Sequence, residues 1–76
     1  MNMHRDRLNG LSGHEVVVSV QTRLLRIESR GLLDGCSNVW WYRLHSVKGV
    51  VSFHEDAVDE ISDIHGETHI RLKLGD

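Results

Sequence analysis

Hydrophobic and polar side chains alternate along most of this chain, in short runs that are separated by glycines. Near the C-terminus, for example, Ile70, Leu72 and Leu74 fall on one side of an extended chain. A period of two places every second side chain on the same face of a sheet, so such runs predict strands with one buried face. The runs predict five short strands, at residues 14–21, 24–33, 39–45, 50–53 and 68–74.

Two segments depart from this alternation. Before the first strand, Leu8 and Leu11 stand three positions apart after a charged stretch, which fits a short helix over the sheet and equally a non-helical lead-in. Within residues 54–62, which include four acids, the apolar residues Ala57, Val58 and Ile61 stand at positions i, i+1 and i+4. This spacing favours a helical or 3₁₀ connector over a strand. Five short strands with glycine turns predict an all-β fold, a small closed barrel that leaves no exposed sheet edge.

Length and cysteine content limit the possibilities. The chain has 76 residues, which form a single domain, residues 1–76, with a small core. Cys36 is the only cysteine, so no internal disulfide supports that core, and association with another chain is the simplest supplement. No apolar run approaches the roughly 18 residues that a membrane span needs, and the first residues do not resemble a signal peptide. We therefore expect a cytoplasmic protein with no membrane partner.

Charge is distributed unevenly along the chain. The first 48 residues carry seven Lys and Arg against four Asp and Glu, whereas the last 28 carry two against seven. Six acids and no base lie between Glu55 and Glu67. This segment predicts either a solvated acidic loop or an acidic face that docks on a basic protein surface. The residues of that face would be Glu55, Asp56, Asp59 and Glu60.

Two motifs stand in order along the chain. Gly31 is followed by Asp34 and, four residues later, by Asn38, and a turn at His65 and Gly66 precedes the last apolar run. These motifs resemble the two motifs of the Sm-like proteins (the Sm, LSm and Hfq group), in which the second motif is an Ile-Arg-Gly turn. The chain departs from the family in a shorter glycine-to-aspartate spacing, a cysteine at the stacking position and a histidine in place of the arginine.

The resemblance implies a five-stranded SH3-like (Sm-like) barrel with a short N-terminal helix, which self-associates into a ring and binds single-stranded RNA. The residues that it implies for RNA are Asp34, Asn38, His65 and Gly66. In such a site the Asn amide reads a base edge, the Asp carboxylate holds the loop, and His65 stacks on a base or pairs with a phosphate. An Asx-type turn and an exposed turn histidine account for the same residues without RNA.

Two further functions are compatible with the sequence. The architecture is also similar to that of Rof, a small acidic inhibitor of the terminator Rho that is built on an Sm-like barrel and binds protein. That likeness favours a protein-binding regulatory module which uses the acidic face. The third possibility is a purely structural subunit of a larger assembly.

Catalytic and metal-binding patterns are weak in this sequence. The six histidines lack the spacing with paired cysteines that structural zinc sites use, and Cys36 has no base or orienting group at a recognisable spacing. We therefore expect no metal, no cofactor and no enzymatic activity. Because Trp40 and Trp41 are adjacent, one indole must face away from the other. The outer indole either lies under the N-terminal segment or serves as a stacking platform or oligomer contact.

Overall fold

A computed structural model of the chain describes residues 4–36 and 40–73, and most of these residues are in strands. The elements are α1 (Arg5–Gly10), β1 (Glu15–Gln21), β2 (Arg26–Cys36), β3 (Trp41–Ser46), β4 (Gly49–His54), a 3₁₀ turn (Glu55–Ala57), β5 (Val58–Ile64) and β6 (Glu67–Leu72). The all-β fold and the short N-terminal helix are thus confirmed. In this part of the chain no helix is long and apolar enough to cross a membrane.

All six strands belong to one sheet, in the order β4-β3-β2-β1-β6-β5. The first four strands form an antiparallel meander, β5 and β6 form an antiparallel hairpin, and β6 joins the meander parallel to β1. The sheet does not close, because β4 and β5 stand at its two ends and are not paired with each other. The described residues therefore form an open sheet of six strands, and the predicted closed barrel of five strands is not confirmed.

The additional strand is β5, in the segment that the sequence predicts to be a connector. That prediction is correct for the 3₁₀ turn and wrong for the residues after it. A bulge between Val58 and Glu60 shifts the register of β5 against β6. Because the bulge adds one residue, Val58 and Ile61 both reach the core although they stand three positions apart. A bulged strand therefore produced the spacing that favoured a helical connector.

The core collects side chains from α1 and from all six strands. Its buried members are Leu8, Val16, Val18, Leu33, Tyr42, Leu44, Phe53, Val58, Ile61 and Ile70. The alternation predicted for the third strand is confirmed, since Tyr42 and Leu44 are buried while Trp41 and Arg43 are exposed. The rings of Tyr42 and Phe53 stack across β3 and β4 with their centroids 5.9 Å apart. One face of the sheet thus holds the core, and α1 contributes Leu8 to it.

Gly31 lies at the point where β2 pairs with both of its neighbouring strands. It pairs with Val16 in β1 and also with Ser46 at the end of β3, so both ladders meet at this residue. A Cβ atom on Gly31 would lie 2.1 Å from the carbonyl oxygen of His45 and 2.7 Å from the carbonyl carbon. Both are backbone atoms that take part in the sheet, so they cannot move aside as a flexible side chain would. Only glycine fits at this point of β2.

We expect Gly31→Ala to destabilise the fold by about 3 kcal/mol or more, because the added methyl group overlaps the β3 backbone. The matched control is Gly10→Ala at the end of α1, where an added Cβ meets no atom within 4 Å. The control should leave stability nearly unchanged. Urea unfolding of the two variants and the wild type measures the difference, and equal midpoints for both variants would contradict the close approach of β3.

Candidate functional site

Asp34 lies near the end of β2, where the pairing with the first strand continues past the start of β1. The Gly13 N–H donates to the Leu33 carbonyl oxygen at 2.7 Å, and the Leu33 N–H donates to the His14 carbonyl oxygen at 3.0 Å. These two hydrogen bonds set both Gly13 and His14 against Leu33, and Asp34 is the next residue of β2 at this end of the sheet. The Asp34 carboxylate is exposed, and its Oδ2 atom lies 3.7 Å from Nε2 of His45 on β3.

His65 and Gly66 form the two-residue turn between β5 and β6. Both have positive φ, 51° for His65 and 81° for Gly66, which is the conformation that tight hairpin turns require at both central positions. Val17 in β1 pairs with His69 in the parallel strand β6. The turn that precedes β6 therefore lies at the end of the sheet where β1 begins.

The two motifs therefore reach the same end of the sheet. Asp34 belongs to β2 and His65 to the turn before β6, and these two strands are the neighbours of β1 in the sheet. His14 enters β1 between them and is exposed. Asn38 lies outside the described residues, in the segment that joins β2 to β3. Three of the four residues that the resemblance implies for RNA, Asp34, His65 and Gly66, thus lie at the same end of the sheet.

This end of the sheet offers polar groups of two kinds. The Asp34 carboxylate accepts hydrogen bonds, as from the exocyclic amino group of a base, and the exposed imidazoles of His14 and His65 are planar rings on which a base can stack. More than half of the Asp34 side chain is exposed, so its carboxylate is accessible to a ligand.

Glu55 does not lie on an open acidic face, which corrects the prediction for this residue. Only 2% of its surface is exposed. Arg5 donates from Nε to its Oε2 atom at 2.8 Å, and the Arg5 Nη2 donates to its Oε1 atom. These hydrogen bonds lower the pKa of Glu55 below its usual value. The same guanidinium lies 3.6 Å from the centre of the Trp40 ring, so the N-terminal segment covers that indole, while Trp41 is half exposed.

Asp59 and Glu60 share one arginine. The Arg71 Nη2 atom lies 2.9 Å from Oδ2 of Asp59 and 2.8 Å from Oε2 of Glu60, and the bulge in β5 leaves both of these neighbours exposed. Asp56 is exposed as well, with its Oδ2 atom 3.5 Å from Nδ1 of His54. Basic side chains of the same chain therefore contact Asp56, Asp59 and Glu60 of the predicted acidic face.

The residues that the sequence analysis missed are the arginines that bind these acids. Besides Arg5 and Arg71, Arg7 of α1 binds Asp63 at 2.8 Å, and its Nη1 atom donates to the Ile61 carbonyl oxygen at 3.3 Å. The opposite charges of the two halves of the chain were the available signal. That signal indicates attraction between the halves, but it does not assign partners.

Among residues 4–36 and 40–73, no group of three or more His, Cys, Asp or Glu side chains is arranged to hold a metal ion. Comparisons of this chain with protein-family models, with curated proteins and with solved structures found no significant match. The assignment of a function therefore rests on the geometry of the chain itself.

The Arg5–Glu55 pair predicts a loss of stability in acid. Because folding lowers the pKa of Glu55, the pair stabilises the fold fully above the unfolded pKa of about 4.3, and this contribution disappears as the pH falls through the lower folded pKa. Glu55→Gln lacks the contribution at every pH. The free energy of unfolding should therefore differ between wild type and variant at pH 7, and this difference should be smaller at an acidic pH below the unfolded pKa, where the Glu55 carboxylate becomes protonated.

Urea unfolding at both pH values measures this decrease. The control is Glu15→Gln, which neutralises an exposed glutamate at the start of β1 and should keep the pH profile of the wild type. A difference between wild type and Glu55→Gln that is the same at both pH values would show that the carboxylate does not titrate with folding.

Proposed function

We propose that the protein is a non-enzymatic, Sm-like binding module which takes single-stranded RNA at the end of the sheet that holds Asp34 and His65. The observation that supports the proposal is the strand order, since Asp34 near the end of β2 and the His65 turn before β6 lie at the end of the sheet where β1 begins. They stand 31 positions apart in the sequence. The sheet topology brings them to one end of the sheet, where we propose that they form a common site.

Each residue has a separate task in this proposal. Asp34 accepts a hydrogen bond from a base, and Asn38 supplies an amide that donates and accepts at a base edge. His65 stacks on the next base, and Gly66 keeps the turn in the conformation that holds His65 at the sheet end. Recognition of unpaired bases by stacking and by edge contacts is the common mode for single-stranded RNA.

The acidic face has less support as a docking surface. A basic protein partner would have to compete with Arg5 for Glu55 and with Arg71 for Asp59 and Glu60. Removing Arg5 would leave a carboxylate that is buried and unpaired, which is costly. The arginines already held in these contacts therefore favour an internal role for most of this charge.

We also propose that the module self-associates through its sheet edges. Within the described residues β4 and β5 each pair on one side only, so a row of backbone N–H and C=O groups is left on the other side of each. Val50 on β4 and Ile64 on β5 are half exposed beside these edges. Pairing β4 of one copy with β5 of the next continues the sheet from chain to chain, and a head-to-tail contact of this kind closes into a ring.

The RNA site can be tested with a labelled oligo-U strand at low salt. We expect the wild type to bind, and His65→Asn to weaken binding by about 1 to 3 kcal/mol because it removes the stacking ring. Asparagine tolerates positive φ, so the turn is retained. Asn38→Ala should cost about 1 to 3 kcal/mol through the lost base contact.

Lys48→Ala is the control, since this exposed cation lies in the β3–β4 turn, at the far end of β3 from the site. Fluorescence anisotropy across a salt series separates base contacts from general attraction. An absence of RNA binding at low salt, or equal losses for His65→Asn and Lys48→Ala, would contradict the assignment.

Self-association is tested by sedimentation over a range of protein concentrations. We expect an oligomer for the wild type and dissociation for Val50→Lys, because a lysine on an edge strand opposes pairing between chains. Val47→Lys makes the same substitution at a fully exposed turn position and should leave the oligomer intact. A wild-type monomer at every concentration would refute the edge pairing.

A further inference from the structure

A cleft opens at the end of the sheet opposite to the proposed RNA site. Val20 of β1 pairs with Leu72 of β6, so these parallel strands end side by side. The chain that leaves β1 turns at residues 22–25 toward β2, which lies on the side of β1 away from β6. A crevice of about 540 Å³ is lined by residues at these two strand ends and by Asp59 of β5. Crevices at the carboxyl ends of parallel strands, where connections diverge, hold ligands in α/β sheets for the same geometric reason.

Two cations with no side-chain partner line this cleft. Arg23 belongs to the turn after β1, and Lys73 follows β6. Among the described residues, none forms a hydrogen bond or an ion pair with either of these side chains. A third cation, Arg71, also lines the cleft and is held by Asp59 and Glu60. Among the residues that the structure describes, no carboxylate pairs with Arg23 or Lys73, whereas the charges of the acidic segment are largely paired.

The other walls of the cleft suit a ligand with a polar and an apolar part. Gln21 supplies an amide next to the cations, and Leu72 supplies an apolar wall. The volume falls within the range of about 300 to 1,000 Å³ that is typical of small-molecule sites. The turn on the β1 side is held in shape by Thr22, whose Oγ1 accepts from the N–H groups of Leu24 and Leu25 at 3.3 and 3.2 Å.

We propose that this cleft binds the phosphate group of a small, soluble phosphate monoester. Such a group carries about −1.5 to −2 charges at neutral pH, which matches the two free cations, whereas a single carboxylate would leave one of them uncompensated. Arg23 offers the planar fork that binds two phosphate oxygens, and Lys73 adds a compact point charge. The organic part of the ester lies against Leu72. This site is separate from the proposed RNA site, which lies at the other end of β1.

The test is calorimetric titration of the full chain with phenyl phosphate and with inorganic phosphate. We expect both to bind, phenyl phosphate more tightly because its ring contacts the apolar wall. Replacing both cations (Arg23→Gln with Lys73→Gln) should weaken binding about tenfold or more, since hydrogen bonds to charged groups are lost. The matched control (Arg43→Gln with Lys48→Gln) removes the same charge from two other exposed cations and should keep the affinity of the wild type.

Vesicles distinguish a soluble ligand from a lipid headgroup. The exposed Leu24 and Leu25 stand in the turn beside the cleft, so the wild type is also mixed with phosphatidylcholine vesicles that contain phosphatidic acid, a lipid phosphate monoester. Binding to phenyl phosphate that the cleft variant loses and the control retains supports the proposal. No binding of either soluble phosphate, equal losses in both double variants, or binding to the vesicles alone would overturn it.

Discussion

The backbone of β3 passes so close to Gly31 of β2 that no side chain fits between them. This close approach lets one long strand pair with β1 along its first part and with β3 along its last part. Because both ladders meet at Gly31, the meander can continue to β4 while β6 adds on the other side of β1. As a result, all six strands contribute side chains to the core. The position of Asp34, three residues beyond Gly31, depends on the same contact.

Strands that follow a regular alternation could be predicted because a period of two is a local property of the sequence. Tyr42 and Leu44 are buried as expected, and Ile70 is too. The strand β5 could not be predicted in the same way, since its bulge inserts one residue and gives Val58 and Ile61 the spacing of a helical turn. The open sheet and the parallel β1–β6 pair are set by contacts between distant segments, so no local pattern reports them.

Opposite charges from the two parts of the chain pair with each other within the fold. The positive first part of the chain and the acidic segment bind each other through Arg5 with Glu55, Arg7 with Asp63, and Arg30 with Glu67. The first two of these pairs fix α1 to the rest of the fold, together with the hydrogen bond from the Tyr42 hydroxyl to Asn9. An acidic segment of a small protein can thus stabilise the fold by pairing with basic residues of the same chain. Glu55 is buried in such a pair, so its carboxylate is not accessible to a partner protein.

Two cations that take part in none of these pairs, Arg23 and Lys73, line the cleft for which we propose an anionic ligand. Arg23 and Lys73 are fifty residues apart in the sequence, and only the parallel pairing of β1 with β6 brings them to one cleft. In an antiparallel pair the end of one strand lies beside the start of its neighbour, where a short turn often closes the gap. Two strand ends that lie side by side leave a space that no such turn fills. The cleft is therefore a consequence of the topology, and Arg23 and Lys73 in its lining are the basis of the proposal that it takes an anion.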